Sequence, residues 1–244
     1  MVHELLYNDA GKLYIRKSML ETYKFCPMKF KKEYLLGHNN SANYQMIVGT
    51  RFHEFAEWFF DIYSGIEPDR WEELVPSAFL PEEQEWAAWF IQEEYKRYNK
   101  NPEVFMPLMR EMKIIDDDLC LSGTFDRVDK LDTQDTLAIV EYKTGKSYNE
   151  ESIMRQLAFY KLLWDNNVKR GNMLYMRYIN PRIQKYETIK FKSNAVDKVL
   201  LDIAGMRKCL REDTFMYQCS PVKHIICHQC DMDECKLYDY DERS

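Results

Sequence analysis

The chain has 244 residues, 34 basic and 40 acidic, with a formal net charge of −6, 45% apolar residues and 30% charged residues. This composition excludes a disordered or collagen-like chain and suffices for one domain with a sizeable core. No run approaches the ~20 apolar residues of a membrane helix, the opening MVHELLYNDAG lacks the basic lead and apolar stretch of a signal peptide, and the acidic balance argues mildly against a non-specific nucleic-acid coat.

Residues 4–16, with Asn8-Asp9-Ala10-Gly11 at their centre, read as a small hairpin. Ser18-x-x-Glu21 has the form of a capping box, which predicts a helix from Met19 that Pro27 kinks or restarts and that stops by Gly37. Residues 44–65 place Phe52, Phe55, Ala56, Phe59 and Tyr63 on one helical stripe, with His53 and Glu57 four apart on another face. Residues 66–102 look like an insertion punctuated by Pro68, Pro76 and Pro81. Its helix, 82–100, carries Trp86, Trp89, Phe90 and Tyr95 and is expected to turn an acidic face outward. Charge is uneven: residues 23–32 hold four lysines and no acid, whereas 67–94 hold nine acids and one arginine. A basic face that meets DNA, with an acidic back, would give such a total.

The sheet is predicted to begin at 105–115, with Glu111 inside the strand, as an outer partner of the site or as half of a salt bridge. Strands follow at 119–131 and 136–143, joined by a turn at Asp132–Asp135. The second of these is Leu-Ala-Ile-Val followed abruptly by Glu141-Tyr142-Lys143. An apolar strand that ends in Glu-x-Lys makes little sense as packing. Beside Asp126 on the neighbouring strand it makes sense as a site for a divalent cation, since Mg²⁺ and Mn²⁺ prefer oxygen ligands, with a lysine to orient water or phosphate. Taken singly, each residue also fits a solvated charge or a cross-strand pair. A helix over 150–166 follows, with Gln156 and Tyr160 one turn apart and Leu157, Phe159, Leu162 and Leu163 free to pack on the sheet. Strands at 172–179 and 184–191, joined at Asn180-Pro181, and a helix over 195–211 complete the periodic part. Residues 212–244 are organised by cysteines instead.

Seven cysteines without a secretion signal favour a reducing compartment, hence the cytoplasm, and metal ligation over disulfides. Cys227-x-x-Cys230, then Cys235, with Cys26 far upstream, would give four thiolates for zinc or an iron–sulfur cluster. Cys120 and Cys209 read as core residues.

Gly123-x-x-Asp126-Arg127-Val128-Asp129, then Ile139-Val140-Glu141-Tyr142-Lys143-Thr144-Gly145-Lys146, then Gln156-x-x-x-Tyr160 resembles the PD-(D/E)XK nucleases, most of all the RecB/AddB-like branch with its iron–sulfur CRISPR-associated exonucleases. The segments Gly49-x-x-x-His53 and Ser18-x-Leu20-x-x-Tyr23-x-x-Cys26-Pro27 are similar to others in that branch. The resemblance implies an α/β, restriction-endonuclease-like fold: a mixed central sheet flanked by helices, a helical N-terminal region and a cysteine-clamped C-terminus. It implies one nuclease domain over 1–244, divided into an N-terminal segment (1–40), a helical region with the insertion (41–102), the nuclease core (103–211) and the cysteine segment (212–244). It implies Mg²⁺ or Mn²⁺ on His53, Asp126 and Glu141, with Lys143 acting on water or phosphate, Gln156 and Tyr160 organising the site or the DNA, and a structural 4Fe-4S cluster on Cys26, Cys227, Cys230 and Cys235, with Cys219 as a substitute ligand. Lys24, Lys29, Lys31 and Lys32 could meet phosphates or form a solvated face. The expected activity is exonucleolytic, on single strands or DNA ends, in the company of recombination or CRISPR-adaptation proteins and with no membrane partner. A DNA-end-binding module without turnover, or a zinc-stabilised version, are the alternatives.

Overall fold

The computed structural model describes residues 5–37 and 44–216. The chain divides into two compact units, residues 1–41 with 197–244, and residues 42–196.

In the first unit, Asn8 Oδ1 accepts from the Lys12 N–H, and Tyr7 and Leu13 form the antiparallel bridge of the expected hairpin. After the two-residue strand β1 (Ile15–Arg16), helix α1 spans Lys17–Phe25. The capping box at Ser18 does not form. The helix starts one residue before Ser18, capped by Arg16 without a side-chain hydrogen bond, so Ser18 already lies inside the first turn. Cys26 is extended, and Pro27 restarts the chain as α2 (Pro27–Phe30), as its missing N–H and fixed φ favour at a first helical position. Phe30 is fully buried and stacks on Tyr34 at 5.4 Å and Phe215 at 6.2 Å. Lys24, Lys29 and Lys31 pair with Asp202, Glu33 and Asp213 respectively. These partly exposed pairs hold three of the four basic side chains of that stretch.

The second unit holds α3 (Tyr44–Ile62), α4 (Pro81–Lys100), β2 (Met109–Asp116), β3 (Leu121–Lys130), β4 (Thr136–Tyr142), α5 (Glu150–Asn167), β5 (Asn172–Asn180) and β6 (Lys185–Lys190). The last helix, α6 (Ala195–Glu212), runs out of it. The sheet is mixed: β2/β3, β3/β4 and β5/β6 are antiparallel, while β4 and β5 are parallel and joined through α5. A parallel pair needs such a crossover, and the α5 segment supplies it. One sheet face meets α3 and α4, where Phe52, Phe55, Phe59, Phe90, Trp71 and Trp86 close over Val140, Tyr142 and Ile179. The other meets α5, whose Leu157, Phe159 and Leu163 are at most 1% exposed. Burying each such side chain is worth roughly 1.5–3 kcal/mol. The architecture is the expected α/β sandwich with a mixed central sheet. The cysteine-rich segment lies outside the described residues.

Helix α4 departs from expectation in one respect: two of its acids face inward. Glu83 is 3% exposed, accepts from the Leu80 N–H at 2.8 Å and pairs with Arg51. Glu94 is fully buried and pairs with Arg97 and Arg127. Arg51 and Arg127, from outside α4, help neutralise these positions, so the helix's own periodicity could not show them to be internal. Among the described residues, no helix is long and apolar enough to cross a membrane.

Candidate metal centre

Three strands bring three acids into one row. The β2/β3 ladder pairs Arg110 with Arg127 and Met112 with Phe125, which sets Glu111 opposite Asp126. The β3/β4 ladder ends at Arg127 and Val140, so one step beyond its end Asp126 faces Glu141. Neighbouring strands lie about 4.8 Å apart, and like charges so close repel unless a cation sits among them. Glu111 has φ +42°, in the left-handed region, and this kink takes it out of the ladder at the row.

Helix α3 supplies the imidazole. His53 Nδ1 lies 3.7 Å from Asp126 Oδ2, and donor atoms of His53, Glu111 and Asp126 all lie within 4.8 Å of one another. Gly49, one turn earlier, lets α3 approach the segment after β4, since a Cβ there would meet Thr144 Oγ1 at 3.1 Å. Gly49, His53, Glu54, Glu57, Glu111 and Thr144 line a cleft of about 540 Å³. Asp126 Oδ2 accepts from the Tyr142 N–H at 2.9 Å, which takes up a backbone donor where β3 and β4 part. Glu141 is 1% exposed and its carboxylate contacts the Lys143 ammonium, which is itself partly exposed.

Of the sequence-derived site residues, His53 and Asp126 come together with Glu111, and Glu141 and Lys143 pair with each other at the end of the neighbouring strand. Tyr160 is buried, its ring 4.8 Å from that of Phe125. Gly123 makes room for it: a Cβ there would come within 2.8 Å of the Tyr160 ring and 3.0 Å of Leu163. Gly123→Ala should therefore lower stability by about 1–3 kcal/mol through overpacking, read as a lower urea midpoint with an unchanged slope. Gln156 is half-buried, its amide nitrogen 3.4 Å from Ser152 Oγ, and its amide oxygen has no hydrogen-bond partner among the described residues. Cys26 is buried at the break between α1 and α2. Cys227, Cys230, Cys235 and Cys219 lie outside the described residues.

Glu111 is the residue that sequence reasoning left half-assigned. Partial desolvation, then the charges of Asp126, Glu57 and Glu141, push its carboxyl from 4.5 up to about 7. The folded carboxyl holds its proton more tightly than the unfolded one. The metal-free protein should therefore lose stability as pH rises between about 4.5 and about 7. A cation on Glu111 must displace that proton, so its binding should tighten as pH rises toward and through about 7 and release a proton. Mn²⁺ titrations at pH 6 and pH 8 in buffers of different ionisation enthalpy measure both; equal affinity and no proton release would remove Glu111 from the site.

A protein-family model, that of the PD-(D/E)XK nuclease superfamily, matches residues 17–235. Among solved structures, the fold is similar to that of a Eubacterium rectale protein provisionally named an exonuclease, with a TM-score of 0.50 at 9% identity, over 87% of this chain and 92% of that one. Among curated proteins, none matches the chain.

Proposed function

The chain belongs to the PD-(D/E)XK nuclease superfamily, whose members are metal-dependent phosphodiester hydrolases, and on that premise we propose that it is a deoxyribonuclease, an exonuclease acting on single strands or DNA ends. The observation that supports this most is the meeting of His53, Glu111 and Asp126 within 4.8 Å, beside the Glu141–Lys143 pair. Carboxylate oxygens with one imidazole suit Mg²⁺ or Mn²⁺. His53, Asp126 and Glu141 hold the ion, and Glu111 joins them.

When bound, such an ion offsets the charge of the phosphodiester, makes a water more acidic and stabilises the leaving 3′ oxygen. The chain's own groups do the rest. Glu141 keeps the Lys143 ammonium at the site, where it orients the attacking water or a non-bridging phosphate oxygen. The Tyr142 N–H holds the Asp126 carboxylate in place. Tyr160 and Gln156 organise the site from α5, Tyr160 by packing beneath β3.

The 244 residues act as a single nuclease domain. Cys26, Cys227, Cys230 and Cys235 hold a structural 4Fe-4S cluster, supported by the C-x-x-C spacing and the distant fourth thiol. Protein purified without oxygen should then be brown; colourless protein with one zinc per chain removes the cluster. The enzyme works in the cytoplasm with recombination or CRISPR-adaptation proteins.

The test of the activity is end-labelled DNA, single-stranded and duplex, digested with Mn²⁺ or Mg²⁺. Progressive shortening that EDTA abolishes is expected. DNA that is bound but never cut with any divalent ion leaves the chain an end-binding module instead.

A further inference from the structure

Glu141 and Lys143 are part of the site, and the tyrosine between them also touches its other parts. The Tyr142 N–H donates to Asp126 Oδ2 at 2.9 Å. Its ring stands edge-on to the His53 imidazole, with centroids 5.6 Å apart and planes at 77°. Phe52 and Phe90 hold the same ring at 6.0 and 5.9 Å. At its far end the phenol oxygen accepts from Arg127 Nη1 at 2.9 Å. Arg127 is fully buried and does not move freely. Its Nη1 also donates to Glu94 at 2.9 Å, and its Nε and Nη2 donate to Asp129 at 2.8 and 2.7 Å.

We infer that Tyr142 is a positioning residue of the metal centre: its phenol, anchored by the buried Arg127–Glu94–Asp129 cluster, fixes the backbone that carries Glu141 and Lys143 and the N–H that orients Asp126. The inference rests on the metal-centre reading above. The anchoring cluster reaches α4 through Glu94 and contributes none of the cation's own donors. Without the hydroxyl, the ring keeps its aromatic neighbours but loses the hydrogen bond that ties it to that cluster, and the strand end gains freedom to rotate. Carboxylates that wander from a shared position bind a cation less well, because the ion must then meet the cost of ordering them.

The test is Tyr142→Phe, which keeps the ring and leaves Arg127 bonded to Glu94 and Asp129. Mn²⁺ is titrated calorimetrically into DNA-free protein, with Phe90→Leu as a control that disturbs the same packing but no polar contact. Tyr142→Phe should bind Mn²⁺ about 10-fold more weakly, whereas Phe90→Leu lowers the thermal midpoint and binds Mn²⁺ like wild type. Glu94→Gln, which loosens Arg127 without touching the site, should weaken Mn²⁺ binding in the same direction, and it carries the test if Tyr142→Phe does not fold. Unchanged Mn²⁺ affinity in Tyr142→Phe, or equal weakening in Phe90→Leu, overturns the inference and leaves the nuclease reading standing. Wild-type protein that binds no Mn²⁺ overturns the metal centre itself, and this inference with it.

Discussion

Lys143→Ala should lower the rate of single-strand degradation by about 10²–10³-fold while leaving DNA binding within a few-fold of wild type. The side chain of the lysine is 37% exposed and contacts that of Glu141, which is buried. An ammonium there is poised to act on the extra charge that builds on the phosphate during attack, and that charge is absent from bound substrate. Its loss should therefore appear in kcat more than in KM. Asp126→Asn removes a carboxylate that lies within reach of both His53 and Glu111, so it should abolish Mn²⁺ binding as well as cleavage. The two variants separate the roles: one binds the cation and fails at chemistry, the other fails at both. Wild-type cleavage rates in Lys143→Ala would remove the lysine from the mechanism.

Arg127→Met should destabilise the protein by about 3–5 kcal/mol, because it strands buried charges. Arg127, Glu94 and Asp129 are fully buried, and Arg177 also pairs with Asp129. Burial alone would push the Asp129 carboxyl up; Arg127, Arg97 and Arg177 override it and hold the group well below the usual carboxylate range. The folded carboxyl is thus the stronger acid. The stability it contributes is present above the unfolded value of 3.8 and is lost only as pH falls below that toward its lower folded value. Methionine keeps the apolar stem of the arginine but leaves Glu94 with Arg97 and Asp129 with Arg177 as the direct partner. Urea denaturation at pH 7 gives the loss directly. A change below about 1 kcal/mol would show that these charges are solvated or find other partners. Arg127→Met should also weaken Mn²⁺ binding, since it removes the anchor of Tyr142.

Lys143 follows the end of β4 and Arg127 lies on β3, and the arrangement around them was only half legible in the sequence. Glu141-x-Lys143 at the end of an apolar strand marks a candidate site, because an apolar run that breaks into two charges is poorly explained by packing alone. His53 in Gly49-x-x-x-His53 carries a similar signal, and Gly49 proves to be where α3 approaches Thr144. Arg127 and Asp129 follow Asp126 in the same short stretch, yet alternation makes them look like ordinary surface charges. They are buried because Arg127 pairs both with Asp129 and with Glu94, on a helix more than thirty residues earlier, and no local pattern encodes that meeting. Glu94 itself sits in an acidic run whose composition pointed to solvent.

By itself the sequence determined the order and type of the main helices and strands from Tyr44 to Glu212, and it singled out the candidate residues of β3, β4 and α3. Apolar periodicity and glycine–proline punctuation are local properties, and local propensity agrees with the final fold here. Only the tertiary structure decided that Glu111 joins the row, because its place depends on a ladder register and on a kink at φ +42°. Only it decided that Tyr160 is a core ring against Gly123, and that a buried charge cluster stands behind the site. Register and long-range ion pairing are relations between distant segments, and their energy exists only once those segments are together.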